Sequence, residues 1–150
     1  MRRVEAEQIA GAGARLRLMA NPELVLLSRD RAERYQPRGV EICISITDPE
    51  APDVQLSPEF AAVLRLQFSD IAAPGGPREV LFGREHADRI LEFMRCWAHA
   101  ERIVVHCTAG ASRSPGVALG LCDRFGWPTA PIEQVKPFWN ALVRQVLGGP

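Results

Sequence analysis

Short, densely apolar runs alternate along the chain with longer stretches whose apolar residues recur at helical spacing. Residues 24–27, Leu-Val-Leu-Leu, predict a short buried strand, and Ser28 after it is placed to cap a short helix reaching Tyr35 before Arg38-Gly39 breaks it. Residues 40–46 read Val-Glu-Ile-Cys-Ile-Ser-Ile, whose length and β-branched content predict a second strand. Residues 47–58 carry Pro49, Pro52 and Pro58 together with Asp48 and Asp53, which predicts a loop, because each proline fixes φ and removes a backbone donor. Residues 63–68 alternate apolar and polar, as a third strand does, and end at Ser69-Asp70. The stretch Ile-Ala-Ala-Pro-Gly-Gly-Pro over 71–77 has the composition of a mobile connector and of a lid.

The second half switches to helical periods. Ala87, Ile90, Leu91, Met94 and Trp97 predict a helix over 84–98, which returns the chain to a β-branched run, 103–105, ending at His106-Cys107. Val117, Leu121, Cys122 and Phe125 predict a buried helix that stops near Gly126-Trp127-Pro128. Over 132–147, Ile132, Val135, Trp139, Leu142 and Val146 share one face of a last helical segment that Pro137 splits in two. Residues 1–22 show no clean period. Strands separated by helices predict a single α/β domain spanning 1–150, with a central, mainly parallel sheet flanked by helices on both faces. Ligands of such sheets bind beyond the carboxyl ends of the strands, where His106-Cys107 lies.

Composition narrows the partners. Lys+Arg and Asp+Glu both number 18, and this even balance excludes nucleic acid as the main partner. No segment reaches the ~20 apolar residues of a membrane span. Cys43, Cys96, Cys107 and Cys122 form no C-x-x-C pair and no metal spacing with His86, His99 or His106, so a structural zinc is not expected. Arg2, Arg3, Glu5, Glu7, Arg15 and Arg17 occupy the stretch where a signal peptide needs an apolar run. The expectation is therefore a cytoplasmic protein in a thiol-preserving compartment. Oligomeric state is not indicated.

The chemistry concentrates in Arg-Ile-Val-Val-His-Cys-Thr-Ala-Gly-Ala-Ser-Arg-Ser-Pro, residues 102–115: a strand, a tight loop and a helix start. Backbone N–H groups of a small-residue loop entering a helix converge on one spot, and the helix dipole adds positive potential there, which makes a cradle for a tetrahedral oxyanion. Thr108, Ala109, Gly110, Ala111, Ser112 and Arg113 form that substrate-binding cradle, with Gly110 allowing the tight fold. Cys107 opens the loop, where these donors and Arg113 favour thiolate over thiol. The planar guanidinium of Arg113 matches two phosphoryl oxygens in a way lysine cannot.

These residues resemble the cysteine-dependent protein tyrosine phosphatase superfamily, and its small dual-specificity-like, bacterial-type branch in particular. His106, Cys107, Gly110, Arg113 and Ser114 match the family pattern His-Cys-x-x-Gly-x-x-Arg followed by Ser or Thr. Chance produces that pattern in a chain of this length with a probability on the order of 10⁻⁵. The resemblance implies hydrolysis of a phosphate monoester through a phosphocysteine, with His106 orienting the loop and lowering the thiol pKa and Ser114 donating to the departing thiolate. The implied mechanism requires no metal or organic cofactor. It also implies an acid on an Asp-bearing loop some thirty-odd residues before the Cys. Asp70 stands 37 positions ahead of Cys107 at a strand end and is the expected general acid, with Asp48 and Asp53 next in line. Asn140 sits where small bacterial members carry Asn.

The expected partner is a phosphorylated protein, phosphotyrosine or dual-specificity, or a small monoester. Thr108, Ala109, Ala111 and Ser112 are not basic, which argues against a highly charged phosphoinositide or an RNA triphosphate. The competing functions are a catalytically weak phospho-binding module and a rhodanese-like sulfurtransferase, which also places Cys at the head of a short loop. Ser114 and the upstream Asp favour the phosphatase.

Overall fold

The computed structural model describes residues 21–149, so residues 1–20 of the unassigned N-terminal stretch lie outside the described residues. Four strands pair in parallel: β1 (Glu23–Leu27), β2 (Glu41–Thr47), β3 (Ala62–Gln67) and β4 (Arg102–His106), in the order β1-β4-β2-β3. Among the described residues five helices accompany them: α1 (Arg29–Arg34), α2 (Arg84–Cys96), α3 (Arg113–Phe125), α4 (Ala130–Val135) and α5 (Ala141–Gly148). β2 is an interior strand with all seven residues buried, which is why its sequence is nearly continuous in apolar residues. Ser28 caps α1, its hydroxyl accepting from Arg31 N–H at 3.3 Å, and Tyr35 ends it, both as the sequence predicts.

The two faces of the sheet are covered unequally. On one, Ile42, Ile44, Ile46, Leu66, Ile103 and Val105 meet Ala87, Ile90 and Met94 of α2, Val117 and Leu121 of α3, and Val143 and Leu147 of α5. On the other, Cys43 and Val104 are covered by Phe60, Tyr35 and Leu56. The parallel sheet flanked by helices is the one expected, with Tyr35 at the end of α1 packing on the second face. The β2–β3 connection carries Pro49, Pro52 and Pro58, cannot wind into a helix, and covers the second face as loop. α3 and α5 pack closely: a Cβ on Gly116 would lie 2.8 Å from the Asn140 carbonyl, and one on Gly120 2.8 Å from Leu147 Cβ. That approach fixes α5 beside the loop that feeds α3.

Pro137 splits the last helical segment as predicted, but the predicted common face is wrong. Val135 is 69% exposed, whereas Val143 and Leu147 are the buried positions. Residues 136–140 leave the helix, and Asn140 starts α5 afresh by accepting from Val143 N–H at 3.1 Å, so the phase of α4 is not carried across. α4 also begins at Ala130, ahead of Ile132, with Pro131 in its first turn, where the missing N–H is not needed.

The amino end of the sheet is closed by a buried carboxylate. Glu41 is fully buried, and its oxygens accept from Tyr35 Oη (2.5 Å), Arg38 N–H (3.0 Å) and Arg102 Nη1 (2.8 Å). Arg102 Nε donates in addition to Glu23 at 2.6 Å.

Candidate active site

β4 runs between β1 and β2 and delivers His106 and Cys107 to the carboxyl end of the sheet; residues 108–112 turn, and α3 begins at Arg113. Gly110 has φ of 75°, the left-handed region, and a Cβ there would lie 2.8 Å from the Leu27 carbonyl carbon and the Ser28 nitrogen. Conformation and space both demand glycine. Arg29 N–H donates to the Thr108 carbonyl at 3.0 Å, so the β1–α1 junction forms the outer wall of the loop.

Cys107 Sγ sits inside this turn. Gly110 N–H and Ser114 N–H donate to it at 3.2 and 3.4 Å, and Ser114 Oγ lies 3.3 Å away. Burial pushes the thiol up, but hydrogen bonds from the Ser114 hydroxyl and from the N–H groups of Ser114, Gly110 and Ser112 outweigh it and hold the group below its ordinary value. His106 is fully buried; its Nε2 meets Ser45 Oγ at 2.6 Å and its Nδ1 lies 3.3 Å from the Cys107 carbonyl. Burial lowers its pKa, so the ring is neutral near pH 7, with Nδ1–H donating to Cys107 O and Nε2 accepting from Ser45. It braces the loop backbone rather than charging the thiol.

Arg113 is nearly buried, and its guanidinium is fixed on three sides. Nη1 donates to Asp48 Oδ1 at 2.8 Å and to the Phe68 carbonyl at 2.9 Å, and Nη2 donates to Thr108 Oγ1 at 3.0 Å. Asp70 is exposed and reaches the loop from the end of β3. Its Oδ1 accepts from Ser112 Oγ at 2.7 Å and from Asn140 Nδ2 at 3.0 Å. Asn140 Nδ2 also donates to the Ile71 carbonyl at 3.1 Å, and Asn140 N–H to the Ser112 carbonyl at 2.9 Å. One residue thus ties the Asp70 loop, the loop at 108–112 and the start of α5 together. The connector after Asp70 is closed at its base by Ser69 N–H to Val80 O (2.8 Å) and Val80 N–H to Ser69 Oγ (2.9 Å).

Cys107, Arg113, Ser114, His106 and Asp70 are therefore brought together with the loop residues 108–112. Asp53 is not: it faces Arg65 at 3.7 Å, beside the edge strand β3. Asp48, considered only as a proton donor from sequence, is the ion-pair partner of Arg113. Ser45 was missed outright, although a lone hydroxyl inside the apolar run of β2 signals a buried group that needs a partner. Among the described residues no three His, Cys, Asp or Glu side chains gather as a metal site, and no helix is long and apolar enough to cross a membrane.

No protein-family model matches the chain, and no curated protein does. Among solved structures, that of human DUSP28, a dual-specificity phosphatase, matches with a TM-score of 0.50 at 21% sequence identity, over 86% of this chain and 83% of that one. The likeness is one of fold: a parallel sheet with flanking helices.

Proposed function

We propose that this chain is a cysteine-dependent phosphatase of the protein tyrosine phosphatase superfamily. It hydrolyses phosphate monoesters, phosphorylated protein side chains among them, through a phosphocysteine. The observation that carries the proposal is the convergence of Gly110 N–H, Ser114 N–H and Ser114 Oγ on Cys107 Sγ beside a fixed Arg113. These donors favour thiolate, which is the attacking form. The fold shared with a dual-specificity phosphatase supports the same class.

In the first step the Cys107 thiolate attacks phosphorus, the bond from phosphorus to the leaving oxygen breaks, and Asp70 passes its proton to that oxygen. The loop N–H groups and Arg113 balance the charge that builds on the three remaining oxygens. Because Oδ1 of Asp70 is taken up by Ser112 and Asn140, Oδ2 is the atom that carries the proton. In the second step Asp70 accepts a proton from water as that water attacks phosphorus. The sulfur–phosphorus bond breaks, phosphate leaves, and the Ser114 hydroxyl donates to the departing thiolate. Arg113 is the only basic side chain of residues 107–113, which suits a single phosphate. A thiolate nucleophile works best in a reducing compartment, which supports a cytoplasmic reading.

The test is turnover of p-nitrophenyl phosphate in EDTA, with acid-quenched mass spectrometry of the Asp70→Asn variant. Turnover without metal, its loss in Cys107→Ser and a phosphate adduct on the peptide carrying Cys107 are expected. Full activity in Cys107→Ser, or activity abolished by EDTA, would refute the proposal. Oxyanion binding without turnover would point to a binding module, and sulfur transfer from thiosulfate to cyanide to a sulfurtransferase.

A further inference from the structure

The turn that follows β2 is built against its own backbone preference. Ala51 N–H donates to the Asp48 carbonyl at 3.1 Å, which closes the four-residue turn Asp48-Pro49-Glu50-Ala51. Proline at its second position is ordinary, but Glu50 at the third has φ of 67°, where turns of this kind normally place glycine. Glu50 is the only non-glycine residue with positive φ among the described residues. Such an outlier persists where the surroundings over-determine it. Gln67, the last residue of β3, supplies that force as a clamp: Glu50 N–H donates to its Oε1 at 3.2 Å, and its Nε2 donates to the Ala51 carbonyl at 3.0 Å.

What the clamped turn fixes is the Asp48 carboxylate. Asp48 is 65% exposed, yet its Oδ1 accepts from Nη1 of the nearly buried Arg113 at 2.8 Å. The other Nη1 hydrogen goes to the Phe68 carbonyl at 2.9 Å. Nη1 is held between a carboxylate and a carbonyl and Nη2 gives one hydrogen to Thr108 Oγ1 at 3.0 Å, so Nε and the second Nη2 hydrogen are left to meet a pair of phosphoryl oxygens.

We infer that Asp48 is a positioning residue: held by a strained turn that Gln67 clamps, it sets the rotation of Arg113 so that the Nε–Nη2 edge meets the phosphoryl group. The inference rests on the phosphatase reading for the identity of the bound group, and it deepens that reading. It also separates two acidic residues that the sequence leaves as competitors. Asp70 meets the phosphate loop at Ser112, where a leaving oxygen would take a proton, whereas Asp48 lies against the far flank of Arg113.

Two substitutions at Asp48 distinguish positioning from charge. Asp48→Asn keeps an Oδ1 acceptor for Nη1 and removes a negative charge near a dianion; Asp48→Ala removes both. Tungstate binding by calorimetry should weaken about fivefold to thirtyfold in Asp48→Ala and stay within about threefold, or tighten, in Asp48→Asn. Gln67→Met, which releases the clamp, should weaken binding in the same direction by a smaller factor. Across aryl phosphates, Asp48→Ala should lose the same factor for good and poor leaving groups and keep the alkaline limb of its pH profile. Tungstate affinity equal to or tighter than wild type in both Asp48 variants would reduce Asp48 to a rim charge and overturn the inference. So would a loss confined to poor leaving groups, which would make Asp48 the proton donor. Asp48-dependent tungstate binding in a protein that turns over no phosphate ester would sink the phosphatase reading and leave the positioning role standing. Wild-type protein that binds no tungstate would overturn both.

Discussion

At the amino end of the sheet Arg102 meets Glu41 and Glu23, and at the carboxyl end Arg113 meets Asp48. The chemistry is the same, and the surroundings reverse its use. Glu41 is fully buried and takes three donors, from Tyr35, Arg38 and Arg102, so this network is complete without a ligand. At the other end the burial is inverted: the guanidinium is buried and the carboxylate exposed. There the N–H groups of Gly110 and Ser114 turn onto a single sulfur. A closed ion-pair network holds strands, whereas a buried arginine fixed by Asp48, the Phe68 carbonyl and Thr108 beside a sulfur that gathers backbone donors is a setting suited to an anion.

Exchanging arginine for lysine at each end is the strongest way to break the comparison. Arg113→Lys keeps the charge but loses the planar fork, and kcat should fall by a factor of about 10³ to 10⁵ with weaker oxyanion binding. Arg102→Lys should leave kcat within about twofold, because Arg102 touches no group of the site. Comparable kinetics in the two variants, measured on one aryl phosphate, would show that the open end is not the catalytic one.

The next effect sharpens the carboxyl end alone. A proton donor matters most for a poor leaving group, so Asp70→Asn should depress turnover of a phosphotyrosine peptide by about 10² to 10⁴ and that of an activated aryl ester by less. The alkaline limb of kcat/KM should flatten, since that limb reports an acid that must be protonated. If Asp48→Asn flattens the limb and Asp70→Asn does not, the two carboxylates have been assigned the wrong way round.

What the sequence discloses of these ends follows from where their atoms sit along the chain. The loop at 107–112 is legible because His106, Cys107, Gly110, Arg113 and Ser114 lie within one short segment, and the strand before it and the helix after it are set by local apolar pattern. The parallel sheet was legible for the same reason. Asp48 with Arg113, Asn140 with Asp70, and Ser45 with His106 are meetings of distant segments, and no local pattern encodes which carboxylate turns to which arginine. Period failed where it was interrupted: Val135 and Val146 share a face on paper, but the break at 136–140 and the Asn140 cap restart the helix in a new phase. Glu41 was hidden differently, as one charged residue in an apolar strand, and only its three partners explain its burial.

Breaking the closed end should be felt in stability and not in rate. Glu41→Gln puts an uncharged amide, itself fully buried, against the partly exposed Arg102 and the Tyr35 and Arg38 donors, and thermal or urea unfolding should show a measurable loss of stability with kcat unchanged. A variant as stable as wild type would mean that Arg102 is satisfied by Glu23 alone. A variant with reduced kcat would mean that the two ends are coupled through β2 and β4.

The smallest effect separates the ends by pH. Burial pushes Glu41 up, but its bonds from Tyr35, Arg38 and Arg102 outweigh that and lower it from 4.5, while Cys107 is lowered from 9.0 by its own donors against the same opposing burial. A group with a depressed folded value contributes stability that is fully present above its unfolded value and is lost as pH falls through the folded one. For Glu41 the contribution is therefore complete above about pH 4.5 and declines only in acid. Tyr35, pushed up to about 12 by burial and by Glu41, adds no slope until pH rises past 10.0, beyond which its contribution is lost. The closed end is flat across the neutral range. The contribution of Cys107 is complete only above 9.0 and shrinks as pH falls from there toward its folded value. Under reducing conditions, the Tm difference between wild type and Cys107→Ser should consequently climb with pH up to about 9, while that between wild type and Glu41→Gln stays level from about pH 6 to 9. A level Cys107 difference over the same range would mean that the sulfur gains nothing from ionising inside the loop, and the open end would lose the property that sets it apart from the closed one.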